Sequence, residues 1–308
     1  MITIESQLIS GGSELVFRFP EVHERARLGI AFERTMRVPD DGDEYPLPAG
    51  LGELPLSHVE DHANNLSGRE ISRGGVLMPM YQSEATWIDF SGHYPMAVKI
   101  AAGKINAVTG ESWTDTLHSE PQDYMTTPRQ PWIDGFYVDE NTVRQFVAEP
   151  LGQGKTVEEI MTGVDEWGGL QIVVYPMKAE EYKKRFEQPV SRRSSQDEEI
   201  IPCLSRVMNY KAPTMGLAAG GRISQKIYKD PYDLSVWDLD SASRCFVHIV
   251  NSEQYQQITG QPAPHRPITK KEYLKRGIPW FDHYGEGKAL PGGDFGALTD
   301  KVVSVGQW

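Results

Sequence analysis

Short segments in which apolar and polar residues alternate dominate the first half of this chain. Residues 15–19 and residues 28–32 each place an apolar side chain at every second position. A period of two puts successive side chains on opposite faces of a β-strand. The 29 glycines and 21 prolines of the chain interrupt such segments and favour turns. The pattern predicts about ten short strands, most of them antiparallel.

Helical signals are few and short. Thr156 and Thr269 each stand three residues before a glutamate, which is typical of a capping box at a helix start. Residues 179–186 and the segment after Asn251 predict two further helices. Helices this short pack against a sheet and do not form a bundle. We therefore expect a mainly β, α+β protein with an antiparallel sandwich or barrel-like core.

One segment, residues 187–200, is rich in charged and polar residues and has no periodicity. Such composition predicts a linker or an exposed loop. We therefore expect a β-rich core domain over residues 1–186 and an α+β portion over residues 201–308. The hydrophobic pattern leaves open whether the two portions share one core.

The charge balance limits the kinds of partner. The chain has 31 Lys and Arg against 43 Asp and Glu, a formal net charge of -12, which repels nucleic acid and anionic lipid surfaces. No apolar run approaches the length of a membrane helix, and no secretory signal is visible at the N-terminus. The 2 cysteines are too few for a disulfide framework. A cytoplasmic location is the expectation.

Four segments carry a resemblance to a known family. They read GGVLMPMYQ from Gly74, GKINAVTGE from Gly103, QPWIDGF from Gln130 and VVYPMK from Val173. Together with other matching stretches, they make most of the chain similar to an uncharacterised family of bacterial and fungal proteins. Some members are labelled integral membrane proteins, which the hydropathy of this chain contradicts. The resemblance implies no activity and no functional residue.

The segment from Gly152 to Thr156 has part of the pattern of a phosphate-binding loop. A Walker loop needs a glycine five positions before its Gly-Lys pair, and Glu149 stands there instead. A carboxylate at that position repels phosphate, and Thr156 is already explained as a helix cap. The pattern therefore predicts a structural turn.

Calcium is the single cofactor that the sequence suggests. Asp40, Asp41 and Asp43 lie close together around a glycine, and carboxylate oxygens are the ligands that calcium prefers. Their spacing differs from that of an EF-hand loop. A solvated turn rich in aspartate is the alternative interpretation.

Catalytic signals are weak. Glu84, Asp89, Asp134 and Glu149 lie near predicted strand ends, but their spacing selects no acid and base pair, and no nucleophile motif is present. We therefore assign no catalytic residue and predict a non-enzymatic binding or self-assembling structural protein. The alternative is a carboxylate-based hydrolase that acts on a glycan or another small molecule.

Four of the 7 tryptophans fall into two groups by their sequence setting. Trp87 and Trp132 lie in apolar segments, where core packing is expected. Trp167 and Trp280 lie in turn-like settings, where exposure is more common. Because tryptophan is enriched at interface hot spots and open strand edges favour pairing, we predict that these two residues stabilise a homo-oligomer. The alternative is that both tryptophans cap the core.

Overall fold

The computed structural model describes residues 1–6, 13–187, 214–263, 265–277, 280–281 and 289–295. Within these residues, a 17-stranded sheet contains most of the strands, and two others form a separate pair. The strands are β1 (Ile2–Ser6), β2 (Ser13–Arg18), β3 (Arg27–Thr35), β4 (Glu44–Tyr45), β5 (Leu47–Pro48), β6 (Gly50–Glu53), β7 (Ser57–His58), β8 (Val76–Pro79), β9 (Ala85–Ser91), β10 (Met96–Ala102), β11 (Ile105–Asn106), β12 (Met125–Thr127), β13 (Trp132–Ile133), β14 (Gly135–Asp139), β15 (Thr142–Pro150), β16 (Leu170–Pro176), β17 (Met215–Ser224), β18 (Ser243–Val250) and β19 (Trp280–Phe281). The α-helices are α1 (Gly68–Arg73), α2 (Val157–Thr162), α3 (Ala179–Phe186), α4 (Ser252–Thr259) and α5 (Lys270–Lys275), and 3₁₀ helices span Glu60–Asn65 and Leu234–Val236.

The main sheet consists of two antiparallel runs joined by a connecting pair. The first run is β1–β2–β3–β9, and the second is β12–β10–β16–β18. Strands β15 and β17 pair with each other; β15 also pairs with β9, and β17 meets β18. Parallel pairing occurs between β4 and β17 and between β8 and β18. The predicted predominance of antiparallel strands is confirmed.

Both runs contribute to one hydrophobic core. Leu15, Phe17 and Ile30 come from the first run, and Ile172 and Val247 come from the second. All five side chains are fully or almost fully buried. Burial of this apolar surface is the main stabilising contribution to such a fold. The core is sandwich-like, as the alternating pattern predicts.

The predicted helix starts are confirmed. The Thr156 hydroxyl accepts a hydrogen bond from the Glu159 amide, and the Glu159 carboxylate accepts one from the Thr156 amide. Thr269 makes the same reciprocal arrangement at the start of α5. Asn251 caps α4, and α3 covers the predicted range. Local sequence therefore determines where these helices begin.

Strands from the C-terminal portion pair directly with strands from the N-terminal portion. β17 pairs with β15, and β18 pairs with β16 and β8. The described parts of the two portions thus contribute to the same sheet. Residues 188–200 of the predicted linker lie outside the described residues, and the division into two domains stays a prediction.

Candidate functional site

A cleft of about 420 Å³ lies over strands β16 and β18. The strand register defines part of its floor: Gln171 of β16 and Phe246 of β18 are direct partners, and both line the cleft. Directly paired residues in antiparallel strands point to the same face of the sheet. The volume falls within the range of roughly 300 to 1,000 Å³ that is usual for small-molecule sites.

Three cationic side chains line this cleft, and they come from three separate elements. Arg73 ends α1, Arg244 lies on β18, and Lys104 lies in the turn between β10 and β11. Trp167, Gln171 and Phe246 also line the site, which we call the cationic cleft. Glu60 also lines the cleft, and against this one carboxylate the three cations leave a net positive charge in a chain of net charge -12.

The hairpin turn determines where Lys104 projects. Ala102 pairs with Ile105, which leaves Gly103 and Lys104 as a two-residue loop. Both have positive φ angles, 52° and 68°, as a type I′ turn requires. A side chain added at Gly103 would overlap Glu158, so only glycine fits there. The turn therefore presents Lys104 from a well-defined backbone.

Aromatic rings support the cations of the cleft. The Arg73 guanidinium carbon lies 4.3 Å from the Trp167 ring centroid and 5.2 Å from that of Phe246. The Lys104 Nζ atom lies 4.6 Å from the Trp167 ring centroid. Cation–π contacts of this kind position a cation without neutralising its charge. The Arg73 Nη1 atom also donates to the Trp167 carbonyl oxygen at 3.0 Å.

A buried carboxylate holds the Trp167 loop in place. Glu158 accepts hydrogen bonds from the backbone amides of Glu166, Trp167 and Gly168, at 3.0, 2.6 and 2.7 Å. Burial raises the pKa of Glu158, and these three amides act in the opposite direction. Gly169 approaches the Val247 carbonyl so closely that a side chain would overlap it. The loop that presents Trp167 is thus constrained at several points.

The positive charges in the cleft repel one another. Burial lowers the pKa of Lys104, and the positive charges of Arg244 and Arg73 lower it further, whereas Asp115 acts in the opposite direction. Burial and the neighbouring Arg69 also lower the pKa of Arg73. Like charges held close together in a partly desolvated site repel. An anion placed among them would relieve that repulsion.

The buried amide of Gln171 completes the site. The residue is 3% exposed, and its Nε2 atom has no hydrogen-bond partner among the described residues. A buried amide without a partner is unfavourable by roughly 1–3 kcal/mol. Because Gln171 lines the cleft, its N–H groups are suited to donate to a bound acceptor oxygen.

The residues predicted to bind calcium have other partners in the structure. Arg144 donates to Asp40 at 2.7 Å, and the Tyr45 hydroxyl donates to Asp41 at 2.6 Å. The backbone amide of Asp43 donates to Asp41 at 3.2 Å. In the part of the chain that is described, no group of three or more His, Cys, Asp and Glu side chains is arranged to hold a metal ion. Calcium binding stays a prediction, for which the melting temperature with added calcium is the test.

The structure places Trp167 and Trp280 in different regions. Trp167 is half-buried in the cationic cleft. The backbone of Trp280 pairs with Pro48 in the separate strand pair, and its side chain lies outside the described residues. Their role in an oligomer stays a prediction.

The expectation of core packing for Trp87 and Trp132 was wrong. Both side chains are half-buried, and their ring centroids lie 6.4 Å apart outside the hydrophobic core of the described residues. The reason is strand alternation: Ile88 and Phe90 of β9 face the core, so Trp87 points to the other face.

The four carboxylates near strand ends do not converge on the cleft. Glu84 is fully buried and contacts Arg34 at 3.3 Å and His265 at 3.0 Å. Glu149 is also buried and accepts a hydrogen bond from the Ser83 hydroxyl at 2.7 Å. These partners indicate structural roles for the two glutamates.

The two aspartates lie beside Trp132. Asp89 pairs across the sheet with Trp132, and Asp134 accepts from the Trp132 Nε1 atom at 3.1 Å. Asp89 lies on β9 and is half-buried, whereas Asp134 lies between β13 and β14 and is almost fully buried. Asp134 lines a pocket of about 10 Å³, which is far smaller than a small-molecule site, so the arrangement gives little support to the hydrolase alternative.

The partial phosphate loop is a structural turn, as predicted. The backbone amides of Gly152 and Gly154 both donate to the Glu159 carboxylate, at 2.7 and 2.9 Å. The Glu159 carboxylate therefore accepts the amide hydrogen bonds that a phosphate accepts in a Walker loop.

Sequence reasoning missed Arg73, Lys104, Gln171 and Arg244. They are spread over more than half of the chain and form no motif, so their proximity exists only in the folded sheet. One local signal was available: Gly103 and Lys104 separate two apolar strands and predict a hairpin turn with an exposed lysine.

No protein-family model, curated protein or solved structure matches this chain. Within the described residues, no helix is long and apolar enough to cross a membrane. The function is therefore inferred from the chemistry of the cationic cleft alone.

Proposed function

We propose that this chain is a non-enzymatic binding protein whose cationic cleft holds a small organic anion. The observation that carries the proposal is the convergence of Arg73, Lys104 and Arg244 on a cleft floored by a buried amide without a partner. Guanidinium and ammonium groups donate hydrogen bonds and accept none. A ligand rich in acceptor oxygens and negative charge is complementary to such a site.

The aromatic content of the cleft indicates the remainder of the ligand. Phe246 lies beside Gln171 on the floor, and Trp167 forms part of the wall. Small-molecule sites combine apolar and aromatic surface with a few polar groups that fix orientation. An aromatic or aliphatic body that carries a carboxylate or phosphate group fits this description.

Binding of a simple aromatic anion tests the proposal. We expect phenyl phosphate to bind to the full chain by isothermal titration calorimetry, and benzyl alcohol, which is neutral, to bind far more weakly. Because the attraction involves partly exposed cations, the affinity for phenyl phosphate should fall as sodium chloride is raised to about 0.5 M. Equal binding of the neutral and anionic compounds would contradict the proposal.

Arg244→Gln should weaken the binding of phenyl phosphate about tenfold, since it removes a charge-assisted hydrogen bond. The matched control is Arg222→Gln, because Arg222 is also a partly exposed arginine on a strand but does not line the cleft. The same calorimetric titration measures both variants. Equal losses in both would indicate a nonspecific charge effect.

Gln171→Met should separate binding from stability. Removal of the amide that lacks a partner should raise the free energy of unfolding by about 1 kcal/mol, and it should weaken anion binding. The control is Gln145→Met, because Gln145 is equally buried but bonds to Met36 and Val38 at 3.0 Å each. That variant should lose stability. Urea denaturation measures both, and a destabilised Gln171→Met protein would show that its amide has a structural role.

Self-assembly stays a second prediction. It rests on the aromatic residues named in the sequence, and analytical ultracentrifugation at micromolar concentration decides it. A monomer would exclude a stable homo-oligomer without affecting the proposal for the cleft.

A further inference from the structure

Asp115 lies at the rim of the cationic cleft and faces its cations. Its Oδ1 atom is 3.0 Å from the Arg244 Nη2 atom. Its charge also acts on Lys104: Asp115 raises the pKa of Lys104, and Lys104 lowers the pKa of Asp115. A hydrogen bond from Trp113 is the largest cause of the lowered pKa of Asp115. The carboxylate is thus an anion of the chain itself, placed against two of the three cations.

The ion pair between Asp115 and Arg244 is accessible to solvent. The side chain of Asp115 is 69% exposed, and that of Arg244 is 50% exposed. Exposed pairs of this kind contribute little to stability because water and salt screen them. A ligand can therefore replace Asp115 at Arg244 without unfolding any part of the sheet.

The backbone around Asp115 is held independently of its carboxylate. The Tyr175 hydroxyl donates to the Asp115 carbonyl oxygen at 3.0 Å. On either side, the Lys99 Nζ atom donates to the Thr114 hydroxyl at 2.8 Å and to the Thr116 carbonyl oxygen at 2.6 Å. Substitution of the Asp115 side chain should therefore leave the loop in position.

We propose that Asp115 is a competitor built into the binding site: its carboxylate occupies Arg244 until the anionic group of a ligand replaces it. This inference rests on the proposed function of the cationic cleft. It also specifies the ligand, because the group that replaces Asp115 must pair with a guanidinium as a carboxylate does. Carboxylates and phosphates share that chemistry, with planar or tetrahedral oxygens that accept two parallel hydrogen bonds.

The test is the affinity of Asp115→Asn for phenyl phosphate and for benzoate at low ionic strength. The asparagine keeps an oxygen that can accept from the Trp113 Nε1 atom, which lies 2.9 Å from Asp115 Oδ1, but it removes the negative charge. We expect the dissociation constant of at least one probe to fall about threefold, as loss of an exposed ion pair implies. A larger effect on one probe identifies the preferred anionic group.

The control is Glu24→Gln, which makes the same change in net charge at an exposed turn between β2 and β3. It should leave both affinities unchanged. If the parent protein binds phenyl phosphate or benzoate and Asp115→Asn binds them equally or more weakly, Asp115 is no competitor, and the proposed function still stands. If neither protein binds either anion, the proposed function fails as well. Binding that appears only in Asp115→Asn would support the inference.

Discussion

Lys99→Met is expected to destabilise the protein by about 3–5 kcal/mol, the usual effect of removing one partner from a buried ion pair. Lys99 is 1% exposed, and its Nζ atom lies 2.5 Å from an Asp123 carboxylate oxygen. The variant would leave the buried Asp123 carboxylate without its lysine counter-ion, with the His118 ring at 2.9 Å as its remaining side-chain partner. It would also remove the hydrogen bonds that Lys99 donates to the Thr114 hydroxyl and the Thr116 carbonyl oxygen. Urea denaturation of parent and variant measures the loss.

A double variant separates the loss of a charge partner from the loss of packing. Lys99→Met combined with Asp123→Asn should recover much of the stability, because the asparagine still accepts from the His118 amide but carries no charge. Lys229→Met, at an exposed position, is the control and should change stability little. A Lys99→Met protein within about 1 kcal/mol of the parent would show that the buried pair contributes little net stability.

Stability should fall as the pH rises from about 5 to about 8, with Asp134 as the main cause. Burial raises the pKa of Asp134 to about 8, although the hydrogen bond from Trp132 acts against the shift. In the unfolded chain, an aspartate titrates near 3.9. The folded state therefore keeps a proton that the unfolded state has lost, and this contribution is present at low pH and is lost as the pH rises through the folded pKa. Over the whole interval between the unfolded and folded pKa values, the free energy of unfolding should fall by about 5 kcal/mol.

Two half-buried carboxylates, Glu33 and Asp89, also make stability fall as the pH rises. Burial, together with Glu53 and Asp89, raises the pKa of Glu33 to about 7. Burial and the neighbouring Glu14 raise the pKa of Asp89 to about 6. Glu84 acts in the opposite direction, since His265 and Arg34 lower its pKa against the effect of burial. The contribution of Glu84 is lost only in more acidic solution, so the decline above pH 5 should come from the three carboxylates whose pKa is raised, Asp134, Glu33 and Asp89.

Asp134→Asn tests the assignment. Its amide oxygen can still accept from the Trp132 Nε1 atom, but the residue no longer titrates. The slope of unfolding free energy against pH should flatten by about 1.4 kcal/mol per pH unit between pH 5 and 8. Asp61→Asn, at an exposed position, should keep the slope of the parent. Parallel slopes for the parent and Asp134→Asn would show that Asp134 is not responsible.

The elements that sequence predicted correctly are those set by neighbours along the chain. Thr156 and Glu159 lie one turn apart, so their capping box forms whatever the rest of the fold does. The alternation in residues 28–32 likewise predicts which side chains of β3 enter the core. The alternation of β9 contains the same information about Trp87, and it outweighs the general tendency of large apolar residues to be buried.

The candidate site could not be predicted in this way. Arg73, Lys104 and Arg244 reach one cleft because β8 pairs with β18, β18 pairs with β16, and β16 pairs with β10. Each pairing joins segments far apart in sequence. Apart from the hairpin turn that Gly103 and Lys104 predict, the isolated residues carry no signal, since an arginine at a helix end is most often a solvated surface group.

The sequence by itself determined the mainly antiparallel β class, the helix starts and the acidic charge, because these depend on local periodicity, capping and composition. Only the tertiary structure decided which polar groups are buried and which charges meet. The free energy of a buried group depends on every partner that surrounds it, so Gln171 without a partner and Lys99 with several cannot be told apart along the chain. Strand pairing supplies those partners, and it places a cluster of cations in a chain of net charge -12.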